Sequence, residues 1–139
     1  MTALSAYKTN KQEESDGKWF EIDTNEDGSM MRFKLRRTGG ANKAFEKEQD
    51  NRLRPYRTQL RNDKMDKTLH AKLITEAFAD TCVIGWENVQ LEPNINIPYD
   101  KKTCRELLVD IPDFADALVN LANRIESWRE DGIEETVKN

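Results

Sequence analysis

A chain of 139 residues with 37% hydrophobic and 35% charged side chains is sized for one domain with a lean core and a heavily solvated surface. No run approaches the roughly 18 apolar residues of a membrane helix, and the first ten residues lack the apolar stretch of a signal peptide, so a soluble, cytosolic protein without membrane contact is expected. The net charge of -4 hides an asymmetry: Arg32 to Lys72 holds 13 Lys/Arg against 5 Asp/Glu, or +8, and the remainder sums to -12, a dipolar layout suited to an acidic partner or to another copy of the chain.

In chain order, residues 1–16 are polar and without periodicity, which predicts a flexible arm. A hairpin follows over 18–36, with the turn residues Asn25-Glu26-Asp27-Gly28 between Lys18-Trp19-Phe20-Glu21-Ile22-Asp23-Thr24 and Ser29-Met30-Met31-Arg32-Phe33-Lys34-Leu35-Arg36. A four-residue loop sets Thr24 against Ser29, Ile22 against Met31 and Phe20 against Phe33 on an apolar face. Glu21 then meets Arg32, and Trp19 meets Lys34, on the charged face. Thr38-Gly39-Gly40 ends the strand, and Asn42 opens a helix over about 42–53 that Pro55 breaks. Residues 56–66 predict only a short helical piece.

Asp66 is placed to cap a helix over 66–84 in which Leu69, Leu73, Ala77 and Ile84 share a stripe, with Gly85 as its stop and Trp86 closing over its end. Glu87 to Tyr99, with Pro93 and Pro98, reads as an extended connection. Asp100 caps a helix over 100–109 that buries Cys104, Leu107 and Leu108. Pro112 opens the last helix, 112–129, which shows Phe114, Leu118, Leu121, Ile125 and Trp128 at spacings of 4, 3, 4 and 3. The tail 130–139 loses the pattern and is expected to fray as an acidic end. The expected globular domain is therefore 17–129. Its fold class is α+β: mainly α-helical, with an N-terminal β-hairpin packed on the helices.

Few of these residues suggest chemistry. Asp23-Thr24-Asn25-Glu26-Asp27-Gly28 matches the first half of a calcium loop, but Lys34 stands where the bidentate Glu belongs, and a strand-flanked turn uses the same residues. A single histidine, His70, cannot build a His-based triad or a two-His zinc site within one chain. Cys82 and Cys104 fall in helical segments without neighbouring metal ligands, which predicts buried free thiols. No catalytic residue, cofactor site or metal site is assigned, and the expectation is a non-enzymatic protein. Arg54, Arg57 and Arg61 near one helical face, with Arg32, Lys34 and Arg36 along a strand, keep a second reading open: a small nucleic-acid-binding or regulatory protein using the basic 32–72 region. Against it, acidic neighbours face the strand cations and no nucleic-acid signature is present. Core closure is the default reading of both Trp86 and Trp128, but Leu121, Ile125 and Trp128 are the candidate partner-binding residues, because their helix runs past most other core elements.

The order of landmarks resembles a phage family, the tail assembly chaperones of lambda-like, long non-contractile-tailed phages. The resemblance lies in Arg37-Thr38-Gly39-Gly40 followed by Asn42 and Phe45, in Val83-Ile84-Gly85-Trp86-Glu87-Asn88-Val89, in Ile97-Pro98-Tyr99 leading to Leu107-Leu108 and Pro112-Asp113-Phe114, and in Ala122-Asn123. It implies a helper in the host bacterial cytoplasm that binds the tape-measure protein and helps tail-tube subunits gather around it. Such a helper is absent from the mature virion. It also implies a longer frameshifted form that recruits the tube protein. Self-association, basic part to acidic part, is a further expectation from the charge layout.

Overall fold

The computed structural model describes residues 2–130. An α+β fold results: a three-stranded antiparallel sheet carries helices on one face. The hairpin strands are β1 (Lys18–Thr24) and β2 (Met30–Leu35), with Trp19 opposite Lys34, Phe20 opposite Phe33 and Glu21 opposite Arg32 as the residue pattern predicts. Beyond Glu21 the register differs. A bulge leaves Ile22 unpaired, so Asp23 rather than Ile22 faces Met31, and Thr24 faces Met30 rather than Ser29. The turn is a compact polar knot, in which Asp27 Oδ1 accepts the Ser29 amide at 2.9 Å and the Ser29 hydroxyl at 2.6 Å.

The third strand corrects the expected course of the chain. Helix α4 (Lys67–Cys82) ends at Cys82, and Val83–Glu87 form β3, antiparallel to β2. A helix stripe and a short buried strand look alike over Val83-Ile84, and pairing with β2 decides between them. The helix end has no glycine cap. Its last carbonyls are taken instead by cations and amides from elsewhere: Arg36 N–H donates to Cys82 O at 2.8 Å, Arg36 Nη1 to Thr81 O at 3.1 Å and Lys101 Nζ to Asp80 O at 2.9 Å. Gly85 is thus a strand residue. A Cβ there would stand 3.7 Å from Trp19 Cη2, on the outer face of the sheet where that indole lies.

The remaining helices are α1 (Lys11–Asp16), α2 (Ala44–Leu53), α3 (Arg57–Arg61), α5 (Lys101–Asp110) and α6 (Pro112–Asn123), with 3-10 turns at Leu4–Tyr7, Arg54–Tyr56 and Ile125–Trp128. Asp66 and Asp100 cap α4 and α5 as their positions predict, accepting Leu69 N at 2.9 Å and Thr103 N at 2.7 Å. Between β3 and α5 the expected plain connection is a small hairpin, β4 (Gln90–Glu92) and β5 (Ile95–Asn96), turned through Asn94 at φ +65°.

The core is a run of aromatic contacts beneath the sheet. Phe33 meets Trp86 and Phe114, each with ring centroids 5.4 Å apart, Trp86 meets Tyr99 at 5.2 Å, and Phe45 meets Phe78 at 5.9 Å. The last helix is shorter than expected. It stops at Asn123, and the Ile125–Trp128 turn folds back so that Trp128 stacks edge-on to Phe20 at 5.5 Å. Its indole Nε1 donates to Ala122 O at 2.9 Å, and Ser127 Oγ to Leu121 O at 2.6 Å, so this turn closes the helix that was expected to continue.

The N-terminal residues also depart from expectation. In place of an arm without structure, Lys11–Asp16 form α1, capped by Asn10. Residues 8–10 lie antiparallel to 128–130, with Asn10 N–H to Trp128 O at 2.7 Å and Glu130 N–H to Lys8 O at 3.0 Å. The anchor is the buried Glu14, a side chain that polar composition alone assigns to solvent. The expected fraying tail, apart from Glu130, lies outside the described residues.

Candidate interaction surfaces

The three residues expected to meet a partner separate in the structure. Trp128 is fully buried and belongs to the core, which removes it from any docking face. Ile125 is half-buried in the 3-10 turn. Leu121 alone reaches a surface notch, a cavity of about 230 Å³ between β1 and α6. Ile22, Ala117, Leu118 and Leu121 form its apolar floor, with Glu21 and Arg124 among the polar residues around it. The bulge explains Ile22's place there, because a residue freed from ladder pairing is re-aimed.

A second apolar feature was not singled out by the sequence. Leu91 and Ile95, 64% and 57% exposed, flank the β4–β5 turn and, among the described residues, are the most exposed large hydrophobic residues after Leu4 and Tyr7. A turn at Pro93-Asn94 between two aliphatic residues was the available signal. Beside them a cavity of about 310 Å³ is lined by Leu91, Ile97, Thr103, Glu106, Leu107 and Asp110. It contains two carboxylates and no cation.

The basic region divides into spent and unspent charges. Arg32 pairs with Glu87 at 2.8 Å, although Glu21 is also opposite it, and its guanidinium lies 4.9 Å from the Trp19 ring centroid. Arg36 is taken up by carbonyls of Ser15 and Thr81, and Arg37 by Glu14. Arg52 meets Glu48 at 2.8 Å, Glu76 at 3.1 Å and Asp80, whose other oxygen accepts Arg105 at 2.8 Å. Arg54, Arg57 and Arg61 are exposed and have no ion-pair partner among the described residues.

The remaining candidates have structural placements. The calcium-like turn spends its groups internally and on the neighbouring loop. Asp27 Oδ2 accepts Gln90 Nε2 at 3.1 Å, and Asn25 Nδ2 donates to Asn88 O at 2.8 Å. The Ser29 hydroxyl and amide hold the Asp27 carboxyl below the usual range. Among the described residues, no group of three or more His, Cys, Asp or Glu is placed to hold a metal. His70 lies half-buried early in α4. Cys82 and Cys104 are buried free thiols. No described helix is long and apolar enough to cross a membrane.

Comparison with known proteins decides the origin. A sequence profile of the YdaY prophage protein family matches residues 40–139, well over half of the chain. The chain belongs to the YdaY prophage protein family. It is therefore a phage-derived protein, in keeping with the phage character of the landmark residues. The YdaY match takes in both aliphatic residues of the exposed hairpin and Leu121, and leaves β1, with Ile22, outside it. No curated protein and no solved structure matches the chain.

Proposed function

We propose that this YdaY-family chain is a tail assembly chaperone, a non-enzymatic protein that binds the tape-measure protein and helps tail-tube subunits assemble around it. Its place of action is the cytoplasm of the infected bacterium, it leaves before the virion is complete, and a longer frameshifted form supplies the tube contact. The observation that carries this reading is the apolar notch of Ile22 and Leu121 between β1 and α6. Its volume falls below the roughly 300–1,000 Å³ of small-molecule sites and suits one or two apolar side chains. A long helical client presents such side chains every three to four residues. Many copies, each holding one shallow anchor, would cover that client by avidity rather than by tight single contacts. The prophage family and the resemblance of the landmark residues support the same reading.

Co-expression with the tape-measure protein of the same phage tests it. The wild-type chain should raise the soluble fraction of that client, and Leu121→Asp or Ile22→Asp should abolish the gain while the variant itself stays folded by circular dichroism. A client whose solubility is indifferent to the wild-type chain would remove the proposal.

A further inference from the structure

The unspent cations and the acid-lined cavity match each other. On α3, Arg57 and Arg61 are four residues apart, with Leu60 beside them at the i+3 position, so the three share one helical face, on which the arginines are exposed and Leu60 is half-buried. On α5, Glu106 and Asp110 are also four residues apart and line the cavity that Leu91, Ile97 and Leu107 floor. Each pair of charges is therefore separated by about 6 Å along its helix axis. One face is basic, apolar, basic; the other is acidic, apolar, acidic. Lys72 and Lys102 line the hollow on the other side of Glu106 and Asp110, and neither forms an ion pair with them. Within one chain neither Arg57 nor Arg61 pairs with Glu106 or Asp110, and all four are exposed.

From this we infer that the α3 face of one copy docks on the α5 and β4–β5 face of a second copy. Leu60 enters the cavity beside Leu91 and Leu107, and Arg57 and Arg61 reach Glu106 and Asp110. The two faces are different surfaces of the molecule, so the contact is heterologous and leaves a free face of each kind on a simple pair. It also covers Leu91, whose exposure otherwise has no partner. Exposed ion pairs contribute little singly, and the contact is small, so the association is weak and salt-sensitive. It goes beyond the chaperone reading and stands without it, since it needs no client.

Sedimentation of the full chain at high protein concentration, from about 0.05 to about 1 M salt, reads the association directly. The wild type should exceed the single-chain mass of 16.2 kDa at low salt and fall to it at high salt. Arg57→Glu/Arg61→Glu should weaken association about tenfold or more, as should Glu106→Lys/Asp110→Lys, because each places like charges face to face. Mixing the two reversed variants should restore it, since opposite charges then meet again at every contact. A wild type that stays at one chain's mass at low salt overturns the inference, as does association that the reversals leave intact or that mixing fails to restore. A gel shift with mixed DNA and RNA separates the competing use of the same arginines: nucleic-acid binding lost on Arg57→Glu/Arg61→Glu, with chain mass unchanged, also overturns it.

Discussion

The buried Glu14 and the partly exposed Arg37 form an ion pair, Oε2 to Nη1 at 2.7 Å, that fastens α1 to the segment following β2. The other oxygen of Glu14 accepts the Ala41 amide at 2.9 Å, and the backbone returns the contact through Arg37 N–H to Glu14 O at 3.1 Å. The close approach depends on Gly40, at φ +58°, where a Cβ would meet Glu14 Oε1 at 2.6 Å. Glycine tolerates both the left-handed backbone and the missing space. The polar N-terminal segment is thus held by the Glu14 carboxylate and by backbone hydrogen bonds to residues 128–130 and Arg37, rather than by an apolar face.

Glu14→Ala should therefore destabilise the fold by about 3 kcal/mol, the lower end for breaking a buried ion pair because Arg37 keeps some access to water. Urea denaturation measures it. A midpoint equal to that of the wild type would mean that the Glu14 carboxylate contributes nothing to stability.

The same residue sets an acid limit. Burial pushes the Glu14 carboxyl up, but the Thr9 hydroxyl, the Ala41 amide and the Arg37 guanidinium together hold it below the ordinary 4.5. With its native value lowered, the unfolded state binds the proton more readily, so the stabilisation is fully present above the ordinary value. It is lost as pH falls through the native one. The stability difference between the wild type and Glu14→Gln should be constant near neutral pH and shrink below about pH 4.5. Urea midpoints of both proteins across that range provide the check, and a difference that grows on acidification would contradict the assignment.

Trp128 tests the corrected reading of the chain's end. As a core indole against Phe20, it should cost about 3–5 kcal/mol when replaced by alanine. Trp128→Phe should cost less, about 1–2 kcal/mol, because Ala122 O loses the indole donor but keeps the Thr38 amide at 3.3 Å. Thermal unfolding distinguishes this from a surface role, for which Trp128→Ala would unfold with the wild type.

How much of this was legible in the residues depends on the range of the forces involved. The hairpin pairs Trp19–Lys34, Phe20–Phe33 and Glu21–Arg32 follow from alternation on either side of a polar turn, and the Asp66 and Asp100 caps follow from a side chain serving an amide three residues on. Those are local interactions. The β3 strand, the reversal at Arg124 and the docking of the segment before α1 depend on partners 45 to 122 residues away: Arg36 for the end of α4, and residues 128–130 for residues 8–10. The spacing of Ile125 and Trp128 fits a helix equally well, so no local rule separates the two outcomes. Of the candidate site, Leu121 was readable as the solvent end of an amphipathic stripe. Leu91 and Ile95 belong to strands of three and two residues, too short for alternation to register.

Arg52 is another long-range element, joining α2 to α4 through Glu48, Glu76 and Asp80. Asp80 retains Arg105 when Arg52 is removed, so Arg52→Ala should cost about 2 kcal/mol rather than the full value for an orphaned buried charge. Arg52→Lys should recover less than half, because an ammonium cannot fork between three carboxylates. Urea denaturation of the two variants measures the ordering, and lysine performing as well as arginine would show that only the charge matters.

The two thiols provide a test of packing that requires no substitution. Burial pushes Cys82 up to about 11 and Cys104 up to about 12, the latter helped by the nearby Asp80 carboxylate. Alkylation proceeds through the thiolate, so at mildly alkaline pH both should resist iodoacetamide in the folded protein and react together once urea unfolds it. Cys104 sits on α5, which carries the acidic face proposed to meet a second copy, while Cys82 ends α4 against Asn42. If α5 opened independently of the rest of the fold, Cys104 would label first. Equal protection of both thiols up to the global transition, read by mass spectrometry, would establish α5 as a rigid platform and not a mobile flap.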